Sequence, residues 1–147
     1  MSFSGIFVLL AAMMFPVLST QVETGTLVIK VNGFESDKGK ARFLLFSEAD
    51  QDYFPKDPVR AYKTHVMPIK NGSVVFQWKD IPHGKYAVAV HHDENDDQKM
   101  NTNWVGIPNE GFGASNNAEG LFGPPSFEDA VFTLDKAKLT VAFDIVN

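Results

Sequence analysis

Residues 85–92 read KYAVAVHH, and large side chains alternate with small ones along this run. Alternation with a period of two places Tyr86 and Val88 on one face of a β-strand and Ala87 and Ala89 on the other. The face of small side chains indicates that a second layer of the protein approaches closely. We therefore predict a central strand here, with the rest of the sheet built on either side of it.

Six other runs have a strand pattern, and turn signals separate them. They are residues 25–34, 40–47, 59–69, 74–79, 128–135 and 138–146. Pro68, near the end of the third run, indicates an edge strand, because proline cannot donate to a sheet ladder. Asn71-Gly72 suits the type I′ turn of a hairpin. About seven strands without a helical pattern predict an all-β fold, a single antiparallel β-sandwich of the immunoglobulin-like or transthyretin-like kind with one long ordered loop.

The connection after residue 92 is far longer than the others. Residues 93–126 read DENDDQKMNTNWVGIPNEGFGASNNAEGLFGPPS and contain six Asn, five Gly and three Pro. Compact domains seldom contain such a connection unless it is functional or disordered. Trp104, Phe112 and Phe122 argue against disorder, because disordered segments are poor in large apolar residues. We therefore expect an ordered loop that carries the functional site.

Negative charge is concentrated in the same loop. It holds six Asp or Glu residues and one Lys, a balance of −5, which equals the formal net charge of the whole chain. The residues outside the loop therefore sum to zero. The chain has no basic cluster, so nucleic acid is not an expected partner.

The first twenty residues, Met1 to Thr20, have no charged side chain and contain the apolar run from Ile6 to Val17. This pattern predicts a signal peptide over residues 1–20 and export of a single domain, residues 21–147, to the periplasm or the extracellular space. The alternative is a retained anchor, but the run is shorter than the roughly 20 residues that span a bilayer. No later stretch is apolar enough to span, and without cysteine the chain has no disulfide.

Four blocks carry a family resemblance. They are GTLVIKVNGFESDKGKARFLLF from residue 25, IPHGKYAVAVHHDEN from residue 81, NTNWVGIPNEGFGASNNA from residue 101 and FGPPSFEDAVFTL from residue 122. Together they resemble a bacterial family of exported proteins, the domain of unknown function 2141. The resemblance implies export and a β-sandwich rather than an activity. The phrase Pro82-x-Gly84-x-Tyr86 is also similar to transthyretin-like sandwich domains, where it is structural.

The first hypothesis for the site is a calcium ion. Asp93, Asn95 and Asp97 place oxygen-bearing side chains at every second position, as an EF-hand loop does at its start. The glycine and the closing glutamate of that loop are missing, so later ligands would come from elsewhere in the chain. The predicted ligands are Asp93, Asn95, Asp97, Asn101 and Glu110. The alternative is a turn in which these side chains accept hydrogen bonds from their own backbone.

The second hypothesis is a binding surface for a peptide, a glycan or a protein. Trp104, Phe112 and Asn116 are the candidate residues, because aromatic faces beside amides suit such ligands. The alternative is that the aromatic rings pack the loop onto the sandwich. We expect packing, since this is the commoner role of apolar residues in ordered loops.

The third hypothesis is a small extracytoplasmic enzyme with its site in the same loop. His91 and His92 would point to opposite faces of a strand and cannot both serve one site. Ser115 and Ser126 are available hydroxyls, but no nucleophile motif surrounds them. The predicted function is therefore a binding or structural module without catalytic residues, and the enzyme is the alternative.

Overall fold

The computed structural model describes residues 19–147, and the predicted signal peptide lies outside this range except for its last two residues. In the described part of the chain the strands are β1 (Thr24–Asn32), β2 (Lys40–Ser47), β3 (Lys63–Met67), β4 (Ser73–Pro82), β5 (Gly84–Asp93), β6 (Phe112–Ala114), β7 (Phe132–Leu134) and β8 (Lys138–Asp144). Two 3-10 helices, Glu48–Tyr53 and Ser115–Asn117, and the one-turn helix α1 (Phe127–Ala130) complete the elements. Over the same residues, no helix has the length and apolar character needed to cross a bilayer.

The strands form two sheets. One has three strands in the order β4-β1-β8, and the other has five, with β3-β2-β5-β6 in a row and β7 also paired with β5. The predicted all-β sandwich is thereby confirmed. β5 is the predicted central strand, because β2 pairs along one edge while β6 and β7 share the other. β3 is the predicted edge strand.

The main core fills the space between the two sheets. Alternate residues of β1 point into it, and Leu27, Ile29 and Val31 are fully buried. They meet Phe43 and Leu45 of β2, which lie in the same hydrophobic cluster. Inward and outward residues alternate because the side chains of a strand point to opposite faces.

A second, smaller core lies on the other face of the five-stranded sheet. Phe46 of β2 and Ala87 of β5 are paired in register and fully buried there. Ala114, Phe127 and Ala130, which come from β6 and α1, pack onto them. The small side chains of β5 thus admit a second layer, as the sequence predicts.

Three details differ from the predictions. The predicted strand 128–135 is wrong in its first half, because Ser126 caps α1 by accepting the backbone N–H of Asp129 at 3.2 Å. The strand β6 lies inside the predicted loop, where three residues pair with Ala89, Val90 and His91. β8 pairs with β1 in parallel, while the other pairs are antiparallel. A parallel pair needs a long connection, and here most of the chain lies between its strands.

Candidate functional site

A cleft of about 790 Å³ lies on the outer face of the five-stranded sheet, beside the second core. Its floor is made by two cross-strand pairs, Leu44 with Ala89 and Arg42 with His91. Its walls come from residues 55–58 and from two parts of the long loop, residues 98–108 and 122–125. The volume falls within the roughly 300–1,000 Å³ that is typical of small-molecule sites.

The cleft exists because the sheet carries small residues at this point. Ala89 faces Leu44 on one side and Ala114 on the other, and Gly113 also lines the space. Further along the same face of the sheet, Phe127 and Ala130 fill the equivalent space. The second layer therefore covers one end of the face completely and leaves the other end open.

The polar end of the floor is an ion-pair network around Arg42. Its Nε donates to Asp93 Oδ2, and its Nη2 donates to Asp96 Oδ1 at 2.6 Å. Lys40 Nζ lies 2.8 Å from the other oxygen of Asp96. Asp93 is fully buried, and burial acts to raise the pKa of its carboxyl group. Hydrogen bonds from Arg42 and from the backbone N–H of Gln98 outweigh that effect, so the pKa of Asp93 lies below its ordinary value.

A second polar pair fixes the loop to β5. His91 Nε2 lies 2.8 Å from Glu110 Oε2, and the Glu110 carboxylate accepts the backbone N–H groups of Glu94 and Asn101. Burial acts to raise the pKa of Glu110, but the Asn101 N–H and His91 outweigh it and the pKa is lowered. One carboxylate thus connects the start of the loop, its middle and the sheet.

The side chains of three of the five predicted metal ligands accept hydrogen bonds within the loop, whereas Asn101 donates its backbone N–H to Glu110. Asp93 Oδ1 and Asn95 Oδ1 both accept the backbone N–H of Asp97 at 3.1 Å, and Asp97 Oδ1 accepts that of Lys99 at 2.9 Å. This is the side-chain-to-backbone turn that was the alternative to a calcium site. Glu110, the fifth predicted ligand, is paired with His91 instead.

Within residues 19–147, no group of three or more His, Cys, Asp or Glu residues has an arrangement that could hold a metal ion. The calcium site stays a prediction. A higher melting temperature with calcium than with EDTA would support it.

The prediction that the aromatic rings pack the loop onto the sandwich is wrong for two of the three rings. Trp104 is 95% exposed, Phe122 is fully exposed, and only Phe112 is half-buried. Polar contacts, rather than packing of these rings, order the loop. For example, Asn103 Oδ1 accepts the backbone N–H groups of Val105 and Ile107, both at 3.0 Å.

The predicted ligand-binding residues do not share one place. Phe112 lines the cleft, whereas Trp104 and Asn116 are not among its lining residues. The Asn116 amide donates to the backbone oxygens of Asp129 and Val131 and so fixes α1. Arg42 is not among the predicted site residues, although an arginine within the apolar run KARFLLF indicates that the outer face of β2 is not entirely core.

The residues of the enzyme hypothesis are separated. His91 faces the cleft, while His92 is buried on the other face, with Nε2 2.9 Å from the backbone oxygen of Lys38, so the predicted opposite orientation is confirmed. Ser115 is fully buried and donates to the backbone oxygen of Ala130 at 2.6 Å. Ser126 caps α1. Both hydroxyls therefore have structural roles.

Comparison with known proteins identifies a family without an assigned activity. A family model described as "Uncharacterized protein conserved in bacteria (DUF2141)" matches residues 29–142. The chain belongs to this family, so the predicted resemblance is confirmed. No curated protein and no solved structure matches the chain.

Proposed function

We propose that this member of the DUF2141 family is an exported binding module that takes a small, largely apolar ligand in the cleft. One observation carries the proposal: a cleft of about 790 Å³ lies over a sheet face, and the apolar part of its floor is the pair of Leu44 and Ala89. A cavity of this size with apolar walls and a few polar groups is the usual form of a ligand site. Export is part of the proposal and rests on the pattern of residues 1–20 alone.

The rim of the cleft supports the same function. Met100, Ile107 and Phe122 line the cleft and are at the same time exposed. Exposed apolar side chains grouped in one place are often a binding surface. A ligand in the cleft would remove part of their surface from water, which contributes roughly 25 cal/mol for each Å² of apolar area buried.

Binding of the apolar fluorescent probe N-phenyl-1-naphthylamine tests the proposal. We expect the wild-type protein to bind it and Ala89→Leu, which fills the floor, to weaken binding about tenfold, or ~1.4 kcal/mol. Val75→Leu is the matched control, because Val75 lies exposed on the outer face of the other sheet. It should bind the probe as the wild type does.

A second variant keeps the test independent of folding. Ile107→Asn changes an exposed side chain of the rim, so it should fold and still weaken probe binding severalfold. Val75→Asn is its control, because Val75 is equally exposed but lies on the outer face of the other sheet. Circular dichroism and melting establish that each variant is folded. No probe binding by the wild type, or equal binding by all four folded variants, would overturn the proposal.

A further inference from the structure

The charged residues that line the cleft all have the same sign. They are Arg42 and Lys56, with His91 beside them, and no Asp or Glu of the described residues contributes to the lining. This is unexpected, because the loop that forms two of the walls holds six acidic residues and one Lys. The cleft therefore presents hydrogen-bond donors to a ligand although the surrounding loop is acidic.

The acidic side chains are arranged behind the basic ones. Asp93 is fully buried and pairs with Arg42, and Glu110 is buried and pairs with His91. These carboxylates orient the guanidinium group and the imidazole ring without lining the cleft themselves. The polar groups at the floor are thus held in place before a ligand arrives, which lowers the cost of ordering them on binding.

Donor capacity remains free at two points of the lining. Arg42 uses Nε and Nη2 for Asp93 and Asp96, and its Nη1 forms no hydrogen bond with residues 19–147. Lys56 is exposed, and its ammonium group has no ion pair with any carboxylate in that range. An acceptor group with a negative charge would complement both.

We infer that the ligand of the cleft is an apolar molecule with a single carboxylate head, of the fatty-acid kind. This inference rests on the proposed function. Two carboxylates already share the charge of Arg42, so Lys56 supplies the one cation of the lining without a partner. That balance favours a monoanion over a phosphate ester, which carries about two charges at neutral pH.

Displacement of N-phenyl-1-naphthylamine by matched amphiphiles tests the head group. Decanoate, decyl phosphate and decylamine have the same chain and differ in charge. We expect decanoate to displace the probe at about fivefold lower concentration than decylamine, and at lower concentration than decyl phosphate. Lys56→Glu should abolish the preference for decanoate over decylamine, because it replaces the unpaired cation with an anion.

Lys79→Glu is the matched control, since Lys79 is exposed on β4 in the other sheet. It should keep the preference of the wild type. If the probe binds but decylamine displaces it as well as decanoate does, or if both Lys variants behave alike, the head-group inference is overturned while the binding function stands. If decyl phosphate is preferred, the monocarboxylate is overturned in favour of a phosphate. Absence of probe binding overturns the binding function itself.

Discussion

The outer faces of the two sheets differ in what they contact. On the three-stranded sheet, Lys30, Val75 and Gln77 are exposed to solvent. On the five-stranded sheet, Phe46 and Ala87 lie at equivalent outward positions and are completely buried under the second core. A sandwich needs to bury only the inner face of each sheet. The second layer on one outer face is therefore an addition that the fold itself does not demand.

The difference shows what the long loop does. Strands joined by short turns cannot cover the outside of their own sheet, because a turn returns the chain directly to the sheet edge. Residues 93–126 cross that outer face, contribute β6 and then lead into α1. Together with α1, to which they lead, they cover one end of the face, and they leave a cleft at the other. The extra length of chain thus produces both a core and a candidate site.

The largest expected effect comes from breaking the second core. Phe46→Ala removes a fully buried ring, and we expect a loss of about 3–5 kcal/mol in the free energy of unfolding. Val75→Ala, on the exposed face of the other sheet, should change it by less than about 0.5 kcal/mol. Urea unfolding followed by circular dichroism measures both. Equal small losses would mean that the loop covers the sheet without stabilising it.

The ion-pair network should come next in size. Asp93→Asn removes a buried carboxylate that accepts from Arg42 and from two backbone N–H groups, so we expect a loss of about 1–3 kcal/mol at neutral pH. Asp52→Asn is the control, because Asp52 is exposed on the 3-10 helix Glu48–Tyr53. If the network contributed nothing to stability, the two variants would have the same free energy of unfolding.

The same network predicts how stability depends on pH. The pKa values of Asp93 and Glu110 lie below their ordinary values of 3.8 and 4.5, so the unfolded chain binds more protons than the folded protein in acid. Their contribution is complete above these ordinary values and is lost as the pH falls through the lower folded values. Asp93→Asn should flatten the decline of stability below about pH 5. Melting temperatures from pH 7 to pH 3 measure it, and parallel curves for the variant and wild type would contradict the prediction.

Most of the fold could be predicted from the sequence, because alternating apolar positions report directly which face of a strand is buried. β2 has the predicted bounds 40–47, and the small residues of β5 correctly indicate a second layer. The segment 128–135 is predicted wrongly in its first half, because its apolar positions fit a helix or a strand over so few residues. Ser126, which caps α1, was the missed signal.

The site could be predicted only as a region. The long loop supplies two walls of the candidate cleft, but the pairing of Glu110 with His91 and of Asp93 with Arg42 joins residues that are 19 and 51 positions apart. Spacing along the chain cannot reveal such contacts, since they depend on which strands become neighbours. For the same reason the sequence does not predict Arg42 or the cleft floor, although it shows the concentration of acidic residues in the loop.

The smallest expected effect is at an exposed ring of the long loop. Trp104 is 95% exposed, so Trp104→Ala should change the free energy of unfolding by less than about 0.5 kcal/mol. Trp78→Ala is the matched control, because Trp78 is buried in the main core and its loss should cost about 3–5 kcal/mol. Acrylamide should quench the Trp104 fluorescence strongly and that of Trp78 weakly. A loss above about 1 kcal/mol for Trp104→Ala would mean that this ring does pack the loop onto the sandwich. The contrast between a loop ordered by polar contacts and a core stabilised by apolar packing would then fail.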